Sequence, residues 1–307
     1  MDLALSRPDA APRRLAWTWR LPRGWLGPVL LAPSLLFLVA FTYWPLLQVG
    51  VQSFTVVRGR EAVRGSLGNY AAVAADPAFR TALANNVVYA VGTVGPSLVL
   101  ALGFALALSR STRVNSALRA LFFLPALIPL VAASSLFLFI FLPGVGLLDH
   151  HLAALGIAGA NWLGDPDWAL PSLMALTIWK NSGYYMLSFL AGLQSIPEES
   201  HEAARLDGAG PWQRLRYVTL PYLRPTLAFV GVIALINVVT QVDHVFVLTK
   251  GGPSDSTNLL LFYIYQQAVE RYDPGKAAAA TVVTTALLLA ISSLSLRRFE
   301  RGGDVER

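Results

Sequence analysis

Lys180, Asn181 and Tyr184 stand in one apolar run, and Asn237, Gln241, Asp243 and His244 stand in another. Asn181 and Tyr184 are three residues apart, so a helix puts them on one face. Asn237, Gln241 and His244 follow at four and seven, which again is one helical face. These residues supply donors, acceptors and an aromatic plane, a set suited to holding a hydroxylated solute. Lys180 adds a counter-charge for an anionic one, such as a phosphorylated polyol. A charge at the centre of a bilayer costs roughly 2.5 to 3.5 kcal/mol on insertion scales, so such groups face a cavity or a partner. Two other uses stay open: polar residues also glue membrane helices together, and Lys180 and Asp243 have the charges for an ion pair.

Covalent and metal chemistry find little support. The 307 residues contain no cysteine, which removes thiolate nucleophiles, thiolate metal sites and disulfides. "HEAAR" at 201–205 lacks the second histidine of a zinc-protease helix. No phosphate-binding G-x-x-x-x-G-K-[ST] occurs: Gly275-Lys276 is followed by Ala277, and Glu270 stands where glycine is required. Asp165-Pro166-Asp167 reads as a turn and helix start rather than a metal site. The expected catalytic and metal sets are therefore empty.

The elements that position the polar residues follow from composition. Hydrophobic residues make up 55% and charged residues 14%, against about 25% charged in an ordinary soluble domain. Mean hydropathy is +0.53. Six apolar runs fall near 26–49, 87–108, 120–142, 169–193, 227–249 and 277–296. Each is long enough to cross about 30 Å of hydrocarbon at 1.5 Å per residue. In lipid every backbone polar group needs an internal partner, so these runs are expected to be helical.

Basic residues orient them. Arg7, Arg13, Arg14, Arg20 and Arg23 precede the first run. Arg110, Arg113 and Arg119 follow the second, Arg205, Arg214, Arg216 and Arg224 follow the fourth, and Arg297, Arg298, Arg301 and Arg307 close the chain. The opposite loops are poorer, and residues 143–167 hold no Lys or Arg. The positive-inside rule puts both termini in the cytoplasm, and the net charge of +6 implies no nucleic acid. Residues 1–25 read as a cytoplasmic tail, 26–298 as a six-helix membrane domain and 299–307 as a second tail.

One cytoplasmic loop, 195–221, is charged yet rich in small residues. Ser195 is placed to cap a helix with Pro197, Glu198 and Glu199 in its first turn, running to about Leu206. Asp207-Gly208-Ala209-Gly210 then supplies a turn, and Pro211 starts a second short helix. Ala203, Ala204, Gly208 and Ala209 would let a partner approach closely, while Glu202 and Asp207 offer charges.

"EAARLDGAG", ending in "LP" at Leu220-Pro221, resembles the E-A-A-x-x-D-G-A…L-P loop of permease subunits in bacterial ATP-binding-cassette (ABC) importers. "LTKGGPSDSTNLLLFYIYQQAV" at 248–269 and "WKNSGYYMLSFLAGLQSIP" at 179–197 resemble sugar and glycerol-phosphate permeases of the maltose-transporter large-subunit type, binding-protein-dependent inner membrane components. The resemblance covers most of 80–300. It implies an all-α ABC importer type I permease fold, with the loop as a coupling helix seated in a cytoplasmic ATPase. Glu202 would be the charged contact and Ala203 and Ala204 the packing surface. Asp207, Gly208 and Ala209 would make the turn, and Leu220 and Pro221 the return to the membrane. It also implies solute contacts on the fourth and fifth spans, which supports Asn181, Tyr184, Asn237 and Gln241 as a solute pathway, with Lys180 beside them as a counter-charge. The implied partners are a second permease, two ATPase copies carrying ATP and Mg, an extracytoplasmic binding protein that meets the Gly251-Gly252-Pro253 loop, and lipid. No cofactor is expected on this chain. The alternative is an ATPase-independent secondary transporter that relays protons through Asp243 and His244.

Overall fold

A computed structural model describes residues 26–58 and 61–301. The expected N-terminal tail and all but the start of the C-terminal one lie outside these residues. So do the basic side chains before Leu26, Arg60 and Arg307. The chain divides into two compact units, Met1–Gln48 and Val49–Arg307.

From the first unit α1 (Leu26–Leu38) passes through a π-helical turn (Val39–Tyr43) into α2 (Trp44–Ser53), whose residues from Val49 on belong to the second unit. Pro33 lies inside α1. Leu35, Phe37, Phe41 and Trp44 are exposed, as befits side chains that meet lipid.

After α2 the second unit continues with an antiparallel hairpin, β1 (Thr55–Arg58) and β2 (Glu61–Arg64). Helices follow: α3 (Gly68–Ala75), α4 (Pro77–Ala107), α5 (Arg113–Leu127), α6 (Leu130–Ile140), α7 (Leu147–Ala154), α8 (Pro166–Gln194), α9 (Glu198–Leu206), α10 (Pro211–Arg214), α11 (Leu220–Tyr222), α12 (Arg224–Thr240), α13 (Asp243–Leu248), α14 (Leu260–Tyr265) and α15 (Pro274–Arg301). The starts of the long helices are written locally. Asp76 accepts the Ala78 N–H at 2.9 Å with Pro77 in the first turn of α4. Asp165 likewise accepts from Asp167 N ahead of Pro166 in α8. The Asp165-Pro166-Asp167 stretch is thus a turn and cap, as its composition suggests.

Four helical stretches are long and apolar enough to cross a membrane: Leu30–Ser53, Pro77–Ala107, Arg224–Leu248 and Pro274–Leu294. The pair α5 and α6 makes a fifth if taken as one span, bent by 99°. The expected fourth run is α8, 29 residues long, which has the length but not the apolarity. It buries Ser172, Thr177, Lys180, Asn181 and Ser182. A helix enclosed by protein can carry polar groups that a lipid-facing one cannot. The count of six is met only approximately.

Two further expectations need correction. The third run is broken rather than continuous. Ile128 is extended (ψ 130°), as a residue before proline prefers, and Pro129 begins the new direction. The fifth run is also broken, at Gln241 (ψ 115°) and Val242.

Packing centres on α8. One cluster joins Tyr89, Phe137, Leu173, Leu176, Val245 and Phe262; another joins Ala101, Ala105, Tyr185, Met186, Phe189, Val230 and Ala234. Small residues set the closest approach. A Cβ on Gly183 would overlap the Phe122 carbonyl oxygen and stand 2.6 Å from its carbon, so α5 lies directly on α8. Gly183→Ala is expected to destabilise the protein by about 1–3 kcal/mol, the usual cost of overpacking where only backbone can yield, read as a lower unfolding temperature in detergent.

At the end of the bundle where α4 and α15 begin, the Asp76 carboxylate accepts from Tyr263 Oη at 2.8 Å and Lys276 Nζ at 2.6 Å. Burial alone would raise this carboxyl; the hydrogen bonds from Lys276, Tyr263 and the Ala78 N–H outweigh it and hold the group below its ordinary value.

Candidate functional site

The charged loop forms two short helical pieces joined by a sharp turn. Ser195 does not cap α9. It ends α8, and its hydroxyl donates back to Gly192 O at 2.7 Å. Pro197 precedes α9 with no side-chain cap, leaving Glu198 and Glu199 to oppose the positive helix end. At the other end the Ala209 N–H reaches Ala204 O at 2.9 Å and the Gly208 N–H reaches Arg205 O at 3.1 Å. Gly208 has φ +77°. This is a Schellman closure, which requires a left-handed residue just past the helix end. The spacing from Ala204 to Gly208 is therefore the geometry of the turn. Gly210 donates its N–H to Gln213 Oε1 at 2.7 Å, and Pro211 opens α10. A π-helical turn (Leu215–Thr219) and α11 lead to α12.

No residue of α9 is buried. Glu202, Ala203, Asp207 and Gly208 are exposed; Ala204 and Ala209 are half-buried. Leu220 and Pro221 are half-buried as well, and the buried anchors of the return are Thr219 and Leu223. Sequence reasoning passed over those two and the apolar tip. Leu206 is 88% exposed and Trp212 69%. Apolar side chains on a charged loop are the signal that would have found the tip.

In the membrane region three of the five expected polar residues, Asn181, Asn237 and Gln241, are joined by hydrogen bonds. Asn181 Nδ2 donates to Gln241 Oε1 at 3.4 Å, across from α8 to the break after α12. Asn237 Nδ2 donates to Tyr185 Oη at 3.2 Å. Tyr184 is partly exposed beside Tyr185, ring centroids 5.8 Å apart. The helix breaks at Gln241, whose N–H still donates to Asn237 O at 2.8 Å; non-helical backbone at membrane depth is tolerated where it is buried in protein or lines a cavity.

Lys180 is elsewhere. Its Nζ donates to Pro125 O at 3.3 Å, to Ala126 O at 3.4 Å and to Ile128 O. Continuing α5 would have required an N–H from residue 129 for Pro125 O, and Pro129 has none. Lys180 supplies donors at the bend, and no ion pair with Asp243 is present. His244 also leaves the expected face, because the helix breaks between it and Gln241. It is fully buried, with Nε2 2.8 Å from Tyr89 Oη, which lies 2.5 Å from Thr177 Oγ1. This chain ties α13, α4 and α8. Tyr89 and Thr177 carried no signal in the sequence, since their partners are 88 and 155 positions away.

The Gly251-Gly252-Pro253 turn is held from within and from α4. Thr257 Oγ1 donates to Gly252 O at 2.7 Å, and Asn85 Nδ2 donates to Asp255 O at 2.7 Å.

Residues 99–302 match the family described as the binding-protein-dependent transport system inner membrane component. The chain belongs to this family. It is 32% identical to the sulfoquinovosyl glycerol transport system permease protein SmoG of Agrobacterium fabrum, over 89% of each chain. It is 34% identical to the lactose transport system permease protein LacF of Rhizobium radiobacter, over 90% of this chain and 92% of that one. The fold matches a crystal structure of a bacterial ABC transporter involved in the import of the acidic polysaccharide alginate, with TM-score 0.79, 23% identity, and 93% and 97% of the two chains covered. As a member of this family the chain is a multi-pass inner membrane component of a binding-protein-dependent transport system, and not an enzyme. Membership sets aside the self-sufficient secondary transporter. The buried, hydrogen-bonded setting of His244 gives a proton relay no support either.

Proposed function

We propose that the chain is a permease subunit of an ATP-driven importer that carries a carbohydrate or related polyol. Both termini lie in the cytoplasm, as the arginine distribution favours. It pairs with a second permease and with two copies of a cytoplasmic ATPase that holds the ATP and Mg, and it receives solute from an extracytoplasmic binding protein. The observation that carries this reading is the loop at 198–222: a helix with no buried residue, closed by a rigid turn at Gly208, joined through Thr219 and Leu223 to α12. Such a piece adds little to the core of its own chain, its side-chain tie being Ser200 Oγ to Tyr222 Oη at 3.0 Å. It is suited to seat in a partner and pass that partner's closure to the spans. Glu202, Ala203, Ala204, Asp207, Gly208 and Ala209 form the seat, with Leu206 and Trp212 beside them; Leu220 and Pro221 lead back to the membrane. Asn181, Tyr184, Asn237 and Gln241 are the solute contacts this reading assigns. Amide pairs with a tyrosine suit hydroxyl groups, and relatives named for lactose and sulfoquinovosyl glycerol favour a carbohydrate. The test is Ala203→Asp in the whole transporter. Vesicle uptake is expected to fall while solute binding to the external protein is unchanged and ATPase activity no longer responds to solute. Uptake at the parent rate would refute the lever.

A further inference from the structure

Beneath the same loop, where α4 ends, lies an open recess of about 430 Å³. Its wall includes Leu106, Glu198, His201, Arg205, Arg214 and Thr219. Two permanent cations face one carboxylate there. Neither guanidinium has a hydrogen bond or ion pair among the described residues, and Arg214 Nε is shielded from solvent with no acceptor. A buried guanidinium N–H without a partner is costly, and a planar donor fork of this kind matches phosphate and carboxylate oxygens. The location narrows the ligand. Leu106 is at the end of the span Pro77–Ala107, and Thr219 lies five residues before the span that starts at Arg224. The recess therefore opens at headgroup level, with apolar wall beside the charges. Basic pockets at span ends are a recurring form of lipid headgroup site.

We propose that this recess binds the phosphate group of an anionic ligand, and its place at the span ends favours a phospholipid headgroup over a free phosphorylated solute. The site joins the end of α4 to α9 and to the segment entering α12, so occupancy braces the base of the loop. The proposal stands whether or not the loop seats in an ATPase.

The whole transporter is purified from vesicles of equal parts phosphatidylcholine and phosphatidylglycerol and weighed by native mass spectrometry. The parent protein is expected to retain phosphatidylglycerol, and Arg214→Gln and Arg205→Gln to retain about tenfold less, the loss of one charge-assisted hydrogen bond. Arg214→Lys, which keeps the charge, should retain an intermediate amount, and Arg216→Gln, outside the recess, the parent amount. In a second arm inorganic phosphate is added to protein from phosphatidylcholine vesicles. A saturable rise in unfolding temperature that Arg214→Gln lacks, without lipid retention, would assign the site to soluble phosphate. Equal lipid retention by the parent and both glutamine variants, with no phosphate response, overturns the proposal. So does loss of a protein subunit from Arg214→Gln with lipid retention unchanged, which would give the arginine to a protein contact.

Discussion

Replacing Lys180 by methionine is expected to lower stability by about 2 kcal/mol and to abolish uptake of every solute the transporter accepts, neutral or anionic alike. Methionine keeps the unbranched length of the side chain and most of its packing but removes the donors. The carbonyls of Pro125, Ala126 and Ile128 then face protein with fewer partners, at about 1–3 kcal/mol for each one left unsatisfied. Relief of a buried charge offsets part of that cost. The 99° bend between α5 and α6 loses its brace from α8, the helix that also carries Asn181. Lys180→Arg retains donors and is expected to recover part of both stability and uptake. The sequence reading made Lys180 a counter-charge for an anionic solute, and the two roles separate cleanly. A variant stable as the parent that transports a neutral solute normally and loses only an anionic one would return Lys180 to the solute path.

That reassignment marks where sequence stops informing. The spans were legible because lipid forces long apolar helices and little else. The turn at Gly208 was legible because its signal is local: a helix end, a left-handed glycine and a proline three residues on. The bend at 128–129 had a local signal too, Pro125 and Pro129 four apart, but length alone read through it as one span. The break at Gln241 has neither glycine nor proline beside it. Asn181 of another helix meets Gln241 at this break, and no periodicity reveals such a contact. The place of Lys180 at the bend is hidden from the sequence for the same reason. Its partners are backbone carbonyls more than fifty positions away, and a carbonyl looks alike in every residue. Asn181 and Gln241 do meet across α8 and the end of α12, because two helices that each carry a polar stripe in lipid have reason to turn the stripes toward one another.

Gly208→Pro is expected to stop uptake while the subunit still folds, inserts and assembles with solute delivery intact. The argument is local. Gly208 sits at φ +77°; proline is fixed near −65°, and it also lacks the N–H that now reaches Arg205 O. The Schellman closure cannot form, at about 3 kcal/mol or more, which unwinds the last turn of α9 and displaces Ala203 and Ala204. Nothing in α9 is buried, so this cost falls on the loop and not on the bundle. Gly208→Ala separates backbone from bulk. No atom lies within 4 Å of the added Cβ, and only the left-handed conformation is penalised, by about 1–2 kcal/mol. Uptake should then fall roughly tenfold, since about 1.4 kcal/mol is one decade, and not vanish. Uptake and ATPase activity measured together in vesicles decide the matter. Parent-level uptake in the proline variant would mean that the shape of this turn transmits nothing, and the loop would lose its role as the lever.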